Sequence, residues 1–286
     1  MAKVAIVGPG GVGGLVGALL ARAGHEVVFV ARPETAALLN ARGIEVHSVR
    51  YGEFTVPARA VTLLEAPVDL CVIATKATTL QDALDRVPAG GASLILPLLN
   101  GVDHMEVLRT RYPSARVVGG SIRVESTRTA PGRISHTSDF CLVQLAGDGA
   151  SSIADWLSGA GLDVTVRDGV AELLWDKLSL LAPLALITTV ARASVGTARE
   201  MRRDDLVDIV AEVTAVARAN GCQVDAETML GVIDQIPAPM KSSMLRDAEA
   251  GRPLELDAIG GAVLRAGASL GIPTPATARV VAELRS

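Results

Sequence analysis

The chain has 286 residues, 49% hydrophobic and 20% charged, a globular composition with room for two ordinary domains or one large α/β domain. Lys and Arg number 27 against 31 Asp and Glu, and the net charge of −4 supplies no basic field for nucleic acid. Aromatics are only 2%, so the core must be aliphatic, and the widely spaced Cys71, Cys141 and Cys222 suggest neither a disulfide framework nor a metal site.

The first half alternates strand-like and helix-like segments, which predicts a mainly parallel sheet. Val4 to Val7 reads as a short strand, followed by a glycine cluster and an Ala/Leu-rich helix ending near Gly24. Glu26 to Ala31 is a second strand, and Ile44 to Val49 with Phe54 to Ala58 resembles a hairpin turning at Tyr51-Gly52. Asp69 to Thr75, Ser93 to Leu96, Val117 to Val124, Phe140 to Leu145 and Val164 to Val166 follow as strands. After about Asp168 strand signals stop. The remainder reads as helices over Val170 to Ala191, Asp204 to Ala219, Ala226 to Ile233, Lys241 to Ala250, Leu254 to Ala268 and Thr277 to Arg285. The expected fold class is α/β, with a Rossmann-type domain over 1–168 and an all-α substrate and dimerisation domain over 169–286.

Met1-Ala2-Lys3 enters an apolar run at once, leaving no room for a signal peptide. The longest apolar run, Leu178 to Ala191, is interrupted by Ser179, Pro183, Thr188 and Thr189 and reads as too short and mixed to span a bilayer. A cytoplasmic protein with no membrane partner is expected.

Gly8-Pro9-Gly10-Gly11-Val12-Gly13 matches GxGxxG directly after a strand and before a helix. In that context the first glycine permits the tight turn and the second a close approach of backbone to pyrophosphate. The third lets the helix pack on the sheet with its N-terminus toward the anion. The strand Val27-Val28-Phe29-Val30-Ala31 then ends in Arg32, where NAD-binding domains place a carboxylate for the ribose hydroxyls. A guanidinium there attracts a 2′-phosphate and favours NADPH over NADH; the competing reading is a solvated loop arginine. Lys76 is read as ending the strand Val72-Ile73-Ala74-Thr75-Lys76, within reach of a cofactor phosphate or ribose, or else as an ordinary surface lysine.

With these features the sequence resembles the ketopantoate reductase (2-dehydropantoate 2-reductase) family over nearly its whole length. The resemblance rests on GPGGVG with Arg32, Ala74-Thr75-Lys76, Leu99-Asn100-Gly101-Val102 and Leu174-Trp175-Asp176-Lys177-Leu178. Most specific are Ser242-Ser243-Met244-Leu245-Arg246-Asp247 and Gly251-Arg252-Pro253-Leu254-Glu255-Leu256-Asp257. It implies reduction of a 2-keto acid with hydride from NADPH in a cleft between domains, and a place in pantothenate biosynthesis. It also implies that Lys177 is the catalytic lysine and that Asn100 lies on the nicotinamide and substrate side. Ser243 and Glu255 become substrate residues, and Lys76 a cofactor residue. A lysine in a partly desolvated cleft suits the chemistry, because hydride addition builds charge on oxygen that an ammonium stabilises and protonates. Glu255 then holds a substrate hydroxyl and keeps Lys177 protonated.

The family's lysine helix usually carries asparagines four and eight residues after the lysine, where this chain has Leu181 and Ala185; Gly260 replaces another. At about 3.6 residues per turn Lys177, Leu181 and Ala185 share a helix face, so the family's amide-bearing face is here apolar. Losing such contacts weakens a hydroxylated substrate by about 1–3 kcal/mol per unpaired group. A reductase of a less polar carbonyl or an imine is therefore a second expectation, and a non-catalytic NADP(H)-binding regulator a third. Leu181 and Ala185 count as candidate substrate residues. His25 in the Gly24-His25 turn and His47, His104 and His136, scattered in or near loops, show no plausible Ser or Cys nucleophile in the sequence pattern and are not expected to be catalytic.

Overall fold

The computed structural model describes all 286 residues. Contacts divide the chain into one unit of Met1–Leu99 with His104–Val170, and a second of Asn100–Asp103 with Ala171–Ser286.

The first unit contains thirteen strands: β1 Lys3–Val7, β2 Glu26–Val30, β3 Ile44–Ser48, β4 Gly52–Val56, β5 Arg59–Val61, β6 Val68–Ile73, β7 Ala92–Pro97, β8 Arg116–Val117, β9 Gly119–Arg123, β10 Ser126–Ala130, β11 Arg133–His136, β12 Leu142–Ala146 and β13 Asp163–Arg167. Its helices are α1 Gly11–Arg22, α2 Pro33–Arg42, α3 Leu80–Leu84, α4 His104–Arg111 and α5 Ala150–Gly159. The main sheet is six-stranded and parallel, in the order β5-β2-β1-β6-β7-β8. Strand order reverses beside β1, which is the Rossmann arrangement, and such sheets bind ligands at the carboxyl ends of the strands there. Both faces of β1 are buried, Val4 and Ile6 in one apolar cluster and Ala5 and Val7 in another. That explains a continuous apolar run rather than an alternating one. A second sheet, β10-β11-β3-β4, covers α1, and a third is ordered β13-β12-β9.

The second unit is helical: α6 Val170–Ala191 enters it and is followed by α7 Val195–Met201, α8 Arg203–Ala219, α9 Ala226–Gln235, α10 Ser243–Glu249, α11 Ala262–Leu270 and α12 Pro275–Arg285. A π-helical turn, Asp257–Gly261, leads into α11. The α/β fold class with a helical C-terminal part is thus as the sequence predicts.

Several details differ from expectation. Val117 to Val124 is two strands, because the chain leaves the main sheet at Val118 and joins β12 as β9. β6 ends at Ile73, so Lys76 sits after the strand and precedes a short 3-10 turn. At 22 residues α6 is long and apolar enough to cross a bilayer, which its interrupted run does not suggest. Yet 72% of its most apolar stretch is buried within the protein, so its apolarity goes into helix packing.

Candidate active site

Of the candidate cofactor residues, the glycine loop, Arg32 and Lys76 lie in the first unit and Asn100 in the second. Gly8 has φ +85, a left-handed conformation that favours glycine, and its N–H donates to the Val30 carbonyl at 3.2 Å. This turns the chain from β1 into α1. A Cβ on Gly13 would lie 2.3 Å from the Gly8 carbonyl oxygen, so glycine there allows α1 to sit against β1. Gly10 is different: a Cβ built on it meets nothing within 4 Å. The space beside Gly10, at the N-terminus of the twelve-residue α1, is therefore open to a ligand.

The other motif residues are held by packing. Pro9 is buried, Val12 packs against the core, and a Cβ on Gly11 would fall 2.1 Å from the Ser126 carbonyl. Ser126 Oγ in turn donates to the Gly11 carbonyl at 2.8 Å, locking β10 onto the loop. Arg32 is the exposed N-cap residue of α2, and Lys76 is exposed beyond β6. Thr75, whose methyl faces Gly8, has a buried Oγ1 with no hydrogen-bond partner in the protein. An orphaned hydroxyl and an open glycine cradle at the start of α1 fit a nicotinamide dinucleotide.

Asn100, Lys177, Ser243 and Glu255, the candidate catalytic and substrate residues, lie in the second unit. Asn100 follows β7 by three residues yet contacts the helical unit, donating from Nδ2 to Glu255 Oε2 at 3.0 Å. Glu255 is only 7% exposed, so this amide offsets part of the cost of burying its carboxylate. Gly101, at φ +86, makes the approach possible, since a Cβ there would lie 2.3 Å from the Ala258 carbonyl. Lys177 is half-buried on α6, with Trp175 and Leu178 buried beside it. Ser243 is the exposed first residue of α10, whose N-cap Ser242 accepts from the Leu245 N–H at 3.1 Å. Leu181 is half-buried.

Ala185 requires correction as a substrate candidate: it is 0% exposed and packs in the helical core. The drift of about 40° for each four-residue step carries it from the Lys177 side of α6 toward the interior. Gly260 is also packed, with Val281 Cγ2 only 2.5 Å from where its Cβ would be. Elsewhere, burial pushes the Cys71 thiol up to about 12 and Cys141 up to about 11, which makes both inert core thiols. No cluster of His, Cys, Asp and Glu has the arrangement of a metal site.

The family described as "Ketopantoate reductase PanE/ApbA" matches residues 4–143, and its C-terminal counterpart, "Ketopantoate reductase PanE/ApbA C terminal", matches 170–286. The chain belongs to this ketopantoate reductase family. Its relatives include an "Uncharacterized oxidoreductase YkpB" of Bacillus subtilis, 30% identical over 99% of this chain and 98% of that protein. A "2-dehydropantoate 2-reductase" of Mycobacterium tuberculosis is 30% identical over 95% of this chain and 93% of its own. The crystal structure of a PanE/ApbA family ketopantoate reductase from Ralstonia eutropha superposes with TM-score 0.89 at 29% identity, covering 99% of this chain and 97% of that one. The ternary structure of a D-mandelate dehydrogenase with NADH and anilino(oxo)acetate shares the fold, with TM-score 0.85 at 24% identity over 99% of this chain and 97% of that one. Family members are oxidoreductases.

Within this family member, the sequence pattern assigns no role to Thr75 or Ser242, which enter only as motif residues, and does not single out Ser126 or Thr188 for the site. Thr188 Oγ1 lies 2.7 Å from Ser242 Oγ and donates to the Leu184 carbonyl at 2.6 Å, tying the start of α10 to α6. The helix expected from Lys241 begins instead after its N-cap Ser242, and Thr188 sits too far along the chain for any local pattern to pair it.

Proposed function

We propose that the chain is an NADPH-dependent reductase of a 2-keto acid, with Lys177 as general acid. The observation that carries the reading is the 3.0 Å hydrogen bond from Asn100 to the buried Glu255. Asn100 and Glu255 belong to the same unit, which also holds Lys177 and Ser243. When bound, NADPH supplies the hydride. Gly10 and the N-terminus of α1 would hold the pyrophosphate, Arg32 the 2′-phosphate, and Lys76 a phosphate or ribose oxygen, while Gly8 and Gly13 shape the turn and seat the helix. As the new C–H bond forms, the carbonyl electron pair moves to oxygen, and Lys177 Nζ gives that oxygen its proton. Glu255 and Asn100 orient the substrate, and Ser243 donates to the substrate carboxylate or hydroxyl.

A second reading is favoured by one observation: the position four residues after Lys177 is the half-buried, apolar Leu181. An aryl or alkyl 2-keto acid suits that surface better than a hydroxylated one. Steady-state NADPH and NADH oxidation with ketopantoate and with phenylglyoxylate separates the two. Preference for ketopantoate supports the first, preference for phenylglyoxylate the second, and no oxidation of either cofactor with either acid overturns both. A cytoplasmic homodimer belongs to the same proposal. Light scattering that gives a monomer mass contradicts the dimer.

A further inference from the structure

The loop Asn100–Asp103 lies along the π-helical turn through three contacts in register. Asn100 reaches Glu255, Gly101 packs on the Ala258 carbonyl, and Asp103 Oδ2 accepts from Arg265 Nη2 at 2.6 Å. The same guanidinium donates to Asp257 Oδ1 and to the Asp257 carbonyl, each at 2.9 Å. One arginine of α11 thus grips both segments that carry the Asn100–Glu255 pair. Gly261 stands between its partners: a Cβ there would lie 2.6 Å from Asp257 Oδ1 and 3.0 Å from Arg265 Nη1. The Gly261 backbone, at φ −59 and ψ −38, is ordinary right-handed helix and does not itself call for glycine. What the missing side chain leaves is the space in which the ion pair closes.

We infer that Arg265 is a positioning residue for the reaction. By bridging Asp103 and Asp257 it fixes Asn100 against Glu255, and Gly261 is the vacancy that lets the bridge form. The inference rests on the reading of Asn100 and Glu255 as substrate-side residues. Asp257 also faces Arg285, at 3.7 Å, so replacing Arg265 does not strand that carboxylate, and the fold is retained.

The test compares Arg265→Gln, Arg265→Lys and Gly261→Ala with the native chain, using NADPH oxidation with ketopantoate and hydrogen exchange read peptide by peptide. Gly261→Ala is the incisive variant. Alanine suits the helical backbone, so thermal stability holds or rises, while its methyl displaces the flexible ends of Asp257 and Arg265. Arg265→Gln and Gly261→Ala are each expected to lower kcat/KM about two- to fivefold, the range of a solvent-exposed ion pair. Exchange rises over residues 100–103, and Arg265→Lys recovers part of the loss by keeping the charge without the fork. Raising NaCl to about 1 M, where screening acts within about 3 Å, brings the native chain toward the variants. Unchanged exchange over 100–103 in both variants overturns the inference, whatever the substrate. So does unchanged kcat/KM in both while Asn100→Ala and Glu255→Gln lose activity. If instead Asn100→Ala and Glu255→Gln retain native activity, the reading of the site fails, and exchange alone decides the bridge.

Discussion

Two substitutions in the glycine loop separate binding from stability. A Cβ on Gly10 meets nothing within 4 Å, and the residue's φ of −83 and ψ of −157 are open to alanine. Gly10→Ala therefore changes stability by only about 0.5 kcal/mol, the range of a surface substitution. Its methyl, however, occupies the space a pyrophosphate needs to reach the backbone N–H groups of α1. Losing one hydrogen bond to a charged oxygen costs about 1.5–3 kcal/mol, which is roughly 10- to 150-fold in the NADPH Kd. Gly13→Ala reverses the pattern. Its methyl falls 2.3 Å from the Gly8 carbonyl, a backbone atom, so α1 must move off β1 at a cost of about 1–3 kcal/mol. The assay is thermal unfolding without ligand together with NADPH titration by its own fluorescence. Gly10→Ala binding NADPH with native affinity refutes the cradle, and Gly13→Ala as stable as the native chain refutes the packing argument.

Three further outcomes follow from the same geometry. Arg32→Ala weakens NADPH about tenfold or more and leaves NADH nearly unchanged, because only the 2′-phosphate loses a charge-assisted partner; equal weakening of both cofactors in parallel titrations contradicts this. Leu181→Asn raises kcat/KM for ketopantoate relative to phenylglyoxylate, whereas Ala185→Asn buries an amide in the helical core and destabilises by about 1–3 kcal/mol; native-like unfolding of Ala185→Asn shows that the core placement is wrong. Burial lowers the pKa of His136 below the ordinary 6.5, and its Nε2 faces the Phe140 carbonyl at 3.2 Å while Nδ1 meets Ser48 Oγ at 2.8 Å. Between the lowered folded value and 6.5 the unfolded chain binds more protons, so stability rises with pH across that window and is lost as pH falls below about 6.5. His136→Gln flattens this part of the stability profile, measured by unfolding at stepped pH; an unaltered slope removes His136 as its source.

How much of this was legible in sequence depends on whether the signal is local. The glycine motif, β1, β2 and the bounds of α6 follow from runs of apolar residues and from the φ preferences of glycine. The helices α2 and α5 lie outside the expected elements: α2 buries only Ala36 and Leu39, too few for a clear stripe, whereas α5 does carry a short stripe at Ala150, Ile153 and Leu157. β10 and β11, Ser126–Ala130 and Arg133–His136, are polar and become strands through pairing, β11 running parallel to β3. Resemblance supplied Asn100, Lys177, Ser243 and Glu255 as residues, but not that Asn100 crosses to the helical unit. That depends on Gly101 fitting beneath Ala258, a contact 157 positions away along the chain. The π-helical turn, and with it the bridge from Arg265, leaves no periodic trace, because Leu254 to Ala268 reads as ordinary helix.

The central claim is that Lys177 delivers the proton to a 2-keto acid reduced by NADPH. Single-turnover mixing of NADPH-loaded protein with ketopantoate, native against Lys177→Ala, tests it most directly. The account predicts a fall in the hydride-transfer rate of about 10²- to 10⁴-fold, the usual contribution of a positioned general acid, with NADPH affinity unchanged. A native transfer rate in Lys177→Ala would contradict it.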